Sequence, residues 1–319
     1  MKFKHLLIYS LLFSVFVVSC SKNGGQDITG QAYVAPVADT TGSGSAAPGS
    51  GVTVGADAPP ASGDNSNMLF GNPSGAALTS NDNLLLNQGY YAESYNATKQ
   101  EPNWVSWHLD ASNIGSTGRT DAFAGFTGLP TGVFAVQSDS YDFADFGFDR
   151  GHNCPSADRT SSTAANKATF LMTNMIPQAP NNNQQTWGNL EDYLRSLVTS
   201  GNEVYIIMGN YGTGGVGSKS ATVINNITFA KYPAEKINVP SNVWKVAVVL
   251  PAGNGDLARV SVSTRVIAVN PPNINSINSN WKLYITTVGA IEAATGYTLL
   301  SALPQSIHDA LKVKVDPGQ

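Results

Sequence analysis

One segment of the chain, Trp187 to Ser200, carries the periodicity of a helix. At about 100° per residue, Trp187, Leu190, Leu194, Leu197 and Val198 fall on one stripe, and Gly201 stops it. Glu191 falls on the same stripe, and if the helix extends back one turn Asn183 joins it. An unpaired carboxylate on a buried face costs roughly several kcal/mol, so Glu191 there requires a cation, a metal-bound water or a hydrogen-bond network. Its alternative is a place at the edge of the stripe, paired with Arg195 one turn on.

Around this helix, from about Met68 onward, the chain is made of short β-rich runs separated by Gly, Pro and Asn. Candidate strands are Trp104 to Leu109, Val133 to Val136, Val204 to Met208, Trp244 to Leu250 and Val260 to Val269. Further helices are predicted near Ile291 to Thr295 and Leu303 to Val313. There is no internal repeat, and the mixture favours an α+β fold over regular βαβ winding.

The 319 residues do not all belong to that fold. Met1 to Cys20 has a basic start (Lys2, Lys4), an apolar run from Leu6 to Val18 too short to span a bilayer comfortably, and then Ser19-Cys20, the pattern of a signal peptide. Val17-Val18-Ser19-Cys20 resembles the lipobox of bacterial lipoproteins, which implies lipidation of Cys20 and a membrane-anchored lipoprotein, periplasmic or on the cell surface of a bacterium. Residues 21–65 are rich in Gly, Ser, Ala, Pro and Thr and cannot bury enough surface to offset their ordering entropy, so they read as a flexible tether. The folded domain is then expected over 66–319.

Acylation would consume one of the two cysteines and leave Cys154 unpaired, which excludes a disulfide framework and a multi-cysteine zinc site. The formal charge of -4 gives no support for binding a polyanion by bulk electrostatics. An anionic substrate must be held by a local cluster of positive groups or by a metal. His108, His152 and His308 lack zinc-ligand spacing, and Gly212 to Ser220 is not a Walker loop, because Ser218 separates Gly217 from Lys219; it reads as a mobile surface loop. The five tryptophans sit mostly in periodic apolar segments and read as core.

The most informative run is Phe148-Asp149-Arg150-Gly151-His152, which gathers an acid, a guanidinium and an imidazole around a glycine. It is followed by Thr173-Asn174-Met175-Ile176-Pro177-Gln178, by Asn183-Gln184-Gln185-Thr186-Trp187, and by Leu190-Glu191 with Arg195. Together, with their spacings of nine, eight and four residues from Asn174 to Asn183, Glu191 and Arg195, these motifs resemble the DNA/RNA non-specific endonuclease family. Pro102 to Trp107, Arg119 and Gly296-Tyr297 with Leu299 to Pro304 extend the likeness more faintly, so that it spans roughly 68–315.

The resemblance implies a ββα-metal core with a mixed or antiparallel sheet and flanking helices, in which a β-hairpin carrying the histidine faces a helix carrying the metal ligand. It implies His152 as general base, a task that an imidazole pKa of about 6.5 suits near neutral pH. Asn183 would be the direct protein ligand of Mg²⁺, or of Mn²⁺ or Ca²⁺, and Glu191 would act through a metal-bound water. Arg150, Arg119 and Arg195 would contact the phosphate, and Asn174 would contact it or orient its loop, with Asp149 structural. Arg159 is an alternative to Arg119, because no local motif fixes the latter. The partners implied are DNA and RNA, held through the backbone and left with 5′-phosphate and 3′-hydroxyl ends. Two other readings stay open: the same fold acting on smaller phosphodiesters, and a surface lipoprotein that binds a polymer without cutting it.

Overall fold

A computed structural model describes residues 52–141 and 143–318. The expected signal peptide, Cys20 and the tether up to residue 51 lie outside the described residues. Among the described residues ten strands run in chain order: β1 (Leu84–Asn87), β2 (Ala92–Asn96), β3 (Glu101–Leu109), β4 (Asp149–His152), β5 (Met175–Gln178), β6 (Asn202–Tyr211), β7 (Asn226–Phe229), β8 (Tyr232–Asn238), β9 (Asn242–Pro251) and β10 (Arg265–Val269). The helices are α1 (Phe143–Phe146), α2 (Thr163–Ala168), α3 (Gly188–Thr199), α4 (Asp256–Arg259), α5 (Val288–Thr295) and α6 (Gln305–Leu311).

Six strands form one antiparallel sheet in the order β1-β2-β3-β6-β9-β10. The long central strands are apolar on both faces because both faces are covered. Trp107, Ile206, Met208, Val243 and Ala247 point to one side, where Trp187 and then Leu190, Leu194 and Val198 of α3 close over them. Trp104, Trp244, Val246 and Val248 point to the other, under α5 and α6. Each side chain that α3 buries stabilises this arrangement by roughly 1.5–3 kcal/mol.

The α+β expectation holds, and the α3 stripe is placed as its period requires. Two strand expectations are corrected. Val133 to Val136 forms no strand: it follows a turn at Pro130 to Val133 and has no strand partner, so Val136 plugs the cluster beneath Phe148 and Val133 packs near Leu84 instead. In Val260 to Val269 only Arg265–Val269 is strand, because Ser261 to Thr264 closes a turn.

Part of the stretch expected to be a tether is described. Residues from 52 on are tied to the domain: the Gly55 amide donates to the Tyr90 hydroxyl at 2.8 Å, Ser161 donates to Asp57 at 2.6 Å, and Asp64 accepts from the Gly255 amide at 2.6 Å. The run Gly212 to Ser220 is irregular and forms no phosphate loop, but backbone bonds to Val239, Ile224, Asn273 and Gly147 hold it down.

Candidate active site

Strands β4 and β5 form a two-stranded antiparallel hairpin in which Asp149 pairs with Gln178 and His152 with Met175. Gly151 is needed here because the Gln178 side chain crosses it; a Cβ would lie 2.2 Å from Gln178 Oε1. That crossing lets Gln178 Nε2 donate to Asn182 Oδ1 at 2.8 Å, one of two ties between the hairpin and the start of the facing helix. The other runs through Asp149, whose Oδ2 accepts from Asn183 Nδ2 and from Gln184 Nε2, both at 2.8 Å.

Ahead of α3 the backbone makes a wide π-helical turn over Asn182–Trp187, a form that recurs at functional sites. It extends the helix backward and sets Asn183 on the hairpin-facing side. With both amide hydrogens of Asn183 on its nitrogen and that nitrogen turned to Asp149, its Oδ1 is the atom left for another partner.

His152 is 9 % exposed, and its Nε2 is buried without a hydrogen-bond partner. The edges of Phe123 and Phe170 flank the ring, with centroids at 5.9 and 4.8 Å. Each phenyl also carries a guanidinium: Arg150 lies 3.9 Å from the Phe123 centroid and Arg119 4.8 Å from that of Phe170. Burial, and after it the charges of Arg119 and Arg150, hold the imidazole well below its usual pKa. The ring is therefore neutral across the neutral pH range.

The expected residues divide by what they touch. Arg150 donates to the Ser138 carbonyl at 2.9 Å and has no carboxylate partner among the described residues. Arg119 is half exposed, bonded to Asp121 at 2.6 Å and to Ser156 at 3.2 Å. Arg159 is no substitute for it: fully buried, it spends its donors on the carbonyls of Tyr90, Asp158 and His108.

Asn174 and Arg195 each engage groups of the protein itself. Asn174 is 0 % exposed, and its amide is engaged by the Cys154 amide and by the carbonyls of Cys154 and Thr169, so it orients the loop. Arg195 is occupied by Asp158 at 2.7 Å and Asp192 at 2.6 Å. Asp158 is buried and Asp192 exposed, so the guanidinium bridges the interior and the surface of α3.

Glu191 does not pair with Arg195. Its Oε1 accepts from Lys245 Nζ at 3.1 Å, and Lys245 is the residue that reading the sequence missed. Burial, opposed mainly by the nearby Lys245 charge, leaves the Glu191 carboxyl above its ordinary pKa. The signal for Lys245 was a single charge in the otherwise apolar run Val243 to Leu250. Cys154, two residues past His152, is buried and its thiol is pushed up to about 12 by burial, which makes it a packing residue.

Among the described residues no three His, Cys, Asp or Glu side chains converge to hold a metal ion. The oxygen donors that the π turn and α3 carry, the Asn183 carbonyl oxygen and the Glu191 carboxylate, are hard oxygens and few. They fit a small hard cation that keeps most of its waters and do not fit a tightly caged one.

A hairpin bearing the histidine, set against a helix that bears the amide and the carboxylate, is the ββα-metal arrangement of a class of nucleases. Within that class the chain belongs to the DNA/RNA non-specific endonuclease family, whose model matches residues 73–306. It is 43 % identical over 251 residues to a nuclease of Nostoc sp., covering 78 % of this chain and 85 % of that one. It is 28 % identical over 240 residues to nuclease C1 of Cunninghamella echinulata, covering 74 % and 88 %. Human mitochondrial endonuclease G is 30 % identical over 158 residues, 49 % of each chain. The fold is that of EndoG in its solved complex with EndoGI, with a TM-score of 0.58 at 20 % identity over 75 % of this chain and 91 % of that one. Membership makes this chain a hydrolase acting on nucleic acids.

Proposed function

We propose that the chain is a metal-dependent endonuclease that cuts DNA and RNA phosphodiester bonds without sequence preference, with His152 as the base. The observation that carries this reading is the unpartnered Nε2 of a neutral imidazole, set on the hairpin that Asp149 ties to Asn183. A neutral imidazole accepts the proton of a water attacking phosphorus; an imidazolium does not. Departure of the 3′ oxygen leaves a 5′-phosphate and a 3′-hydroxyl.

Arg150 and Arg119 are the groups that grip the phosphate, and a guanidinium fork matches two of its oxygens. Both also disfavour protonation of His152, so the same charges that bind substrate keep the base free. Asn183 would hold a Mg²⁺, Mn²⁺ or Ca²⁺ ion directly and Glu191 through water. Such an ion supplies charge stabilisation on the phosphate and the leaving oxygen. Contacts of this kind read the backbone, which DNA and RNA share.

The test is to incubate the domain with plasmid DNA and with RNA, with Mg²⁺ or with EDTA, beside a His152→Ala variant. Metal-dependent degradation of both polymers, lost in the variant and yielding ends that accept label only after phosphatase treatment, is the expected result. Intact polymer in every lane from folded protein rejects the reading and favours a small diester or a binding role. The pattern at Val17 to Cys20 supports a further proposal, that lipidated Cys20 anchors the chain to a bacterial membrane on its periplasmic or outer side. Labelling with a fatty-acid probe, lost in Cys20→Ala, tests it.

A further inference from the structure

Lys245 lies on β9, the second strand from the sheet's β10 edge, on the face that packs against α3. It is 1 % exposed, and its neighbours on that face, Val243 and Ala247, belong to the core. An ammonium there loses its hydration, and an unbranched apolar side chain would fill the same space without that loss. Three contacts compensate it: the carboxylate of Glu191 at 3.1 Å and the ring faces of Trp187 and Trp107, whose centroids lie 4.8 and 5.5 Å from Nζ.

The two indoles are themselves fixed. Trp107 Nε1 donates to Asp158 Oδ2 at 3.0 Å, Asp158 Oδ1 takes Arg195 at 2.7 Å, and Trp187 Nε1 points at Met208 Sδ at 3.1 Å. The ammonium thus stands between two fixed indoles and the Glu191 carboxylate. Only Oε1 of that carboxylate is engaged; Oε2 has no side-chain partner among the described residues.

We infer that Lys245 is a positioning residue for the reaction: it pins Glu191 by Oε1, so that Oε2 is held toward the site, where it orients water on the cation. This rests on the metal-dependent nuclease reading. A carboxylate on a freely rotating side chain would sample several rotamers, and outer-sphere groups of this kind typically contribute roughly 10- to 100-fold in metal affinity or activity.

The experiment measures Mn²⁺ binding to substrate-free enzyme from the electron paramagnetic resonance signal of free Mn²⁺, together with kcat and KM on a DNA substrate. The variants are Lys245→Met, Lys245→Arg, Glu191→Gln and the double variant Lys245→Met/Glu191→Gln. Lys245→Met is expected to weaken Mn²⁺ binding and lower kcat by roughly 10- to 100-fold with KM nearly unchanged, and Lys245→Arg to recover part of both. The double variant, which removes the buried pair together and so folds even where the lone methionine does not, is expected to match Glu191→Gln in Mn²⁺ affinity and kcat.

A Lys245→Met protein that loses thermal stability but keeps parental Mn²⁺ affinity and kcat overturns the inference, and so does a double variant well below Glu191→Gln in both. If the parent protein itself neither binds Mn²⁺ nor cleaves DNA, the failure lies with the nuclease reading.

Discussion

His108 and His152 are both buried, and an arginine lies beside each, yet their neighbourhoods are built in opposite ways. Around His108 each charge meets its complement: Nε2 contacts Glu203 at 3.0 Å, Glu203 takes Arg259 at 2.6 Å, Arg259 takes Asp256 at 2.7 Å, and Asp256 accepts from the Tyr205 hydroxyl. Around His152 there are two guanidinium groups, two phenyl rings and a ring nitrogen with no partner. The first network is closed and can only hold β3, β6 and α4 together. The second is open: Asp121 offsets Arg119 at the surface, but Arg150 meets no carboxylate among the described residues and is complemented when an anion enters.

The largest expected effect breaks the open network. His152→Ala should lower kcat by roughly 10²- to 10⁴-fold with a melting temperature close to that of the parent, read by cleavage rate and by thermal denaturation on the same preparation. The closed network should answer in the opposite currency. Glu203→Ala leaves His108 Nε2 without its partner in the interior, while the partly exposed Arg259 keeps Asp256, and should cost about 1–3 kcal/mol, a fall of roughly 5 °C in melting temperature, while the folded fraction turns over at the parental rate. A Glu203→Ala protein with intact stability and collapsed turnover would erase the distinction between the two histidines.

A smaller effect probes the tie between hairpin and helix. Asp149 accepts from both Asn183 and Gln184 on one oxygen, so Asp149→Ala frees the amide of Asn183 to rotate or flip. Cation affinity should drop roughly 10- to 100-fold, measured by Mn²⁺ titration, with Gln184→Ala producing much less. Equal losses from the two variants would mean that Asp149 acts through the turn as a whole and not through Asn183.

The parts of this site that were legible in sequence are those with a period or a short spacing. The α3 stripe follows from a 3.6-residue repeat, and Asp149 to His152 is contiguous. Lys245 was not legible, because a strand covered on both faces hides which neighbour a lone charge meets, and Glu191 lies 54 residues away. The two roles open to Asn174 could not be separated for a related reason: a polar side chain in a loop looks the same in sequence whether it faces a phosphate or the backbone of Cys154. The contacts that Asp57 and Asp64 make with the domain were not legible, because the composition of that stretch suggests none. Val133 to Val136 has β-forming residues, but a strand needs a free edge to pair with, and no composition states where one will be.

The smallest expected effect bears on how the open network keeps its base ready. Burial is the main reason His152 resists protonation, and the charges of Arg119 and Arg150 add to it. In the proposed role the imidazole works only when neutral, so kcat/KM should hold below pH 6.5 and fall only as pH drops through the depressed value. Arg119→Ala removes one positive charge, raises the imidazole pKa and moves the acid limb to higher pH, whatever it does to the plateau. Because Arg119 is half exposed and partly offset by Asp121, the movement should be less than about one pH unit and should shrink further in high salt. Arg119→Lys keeps the charge and should lower the plateau with the limb in place. A limb that ignores both substitutions would show that some group other than His152 carries the proton, and the contrast between the two histidines would then have to be redrawn around that group.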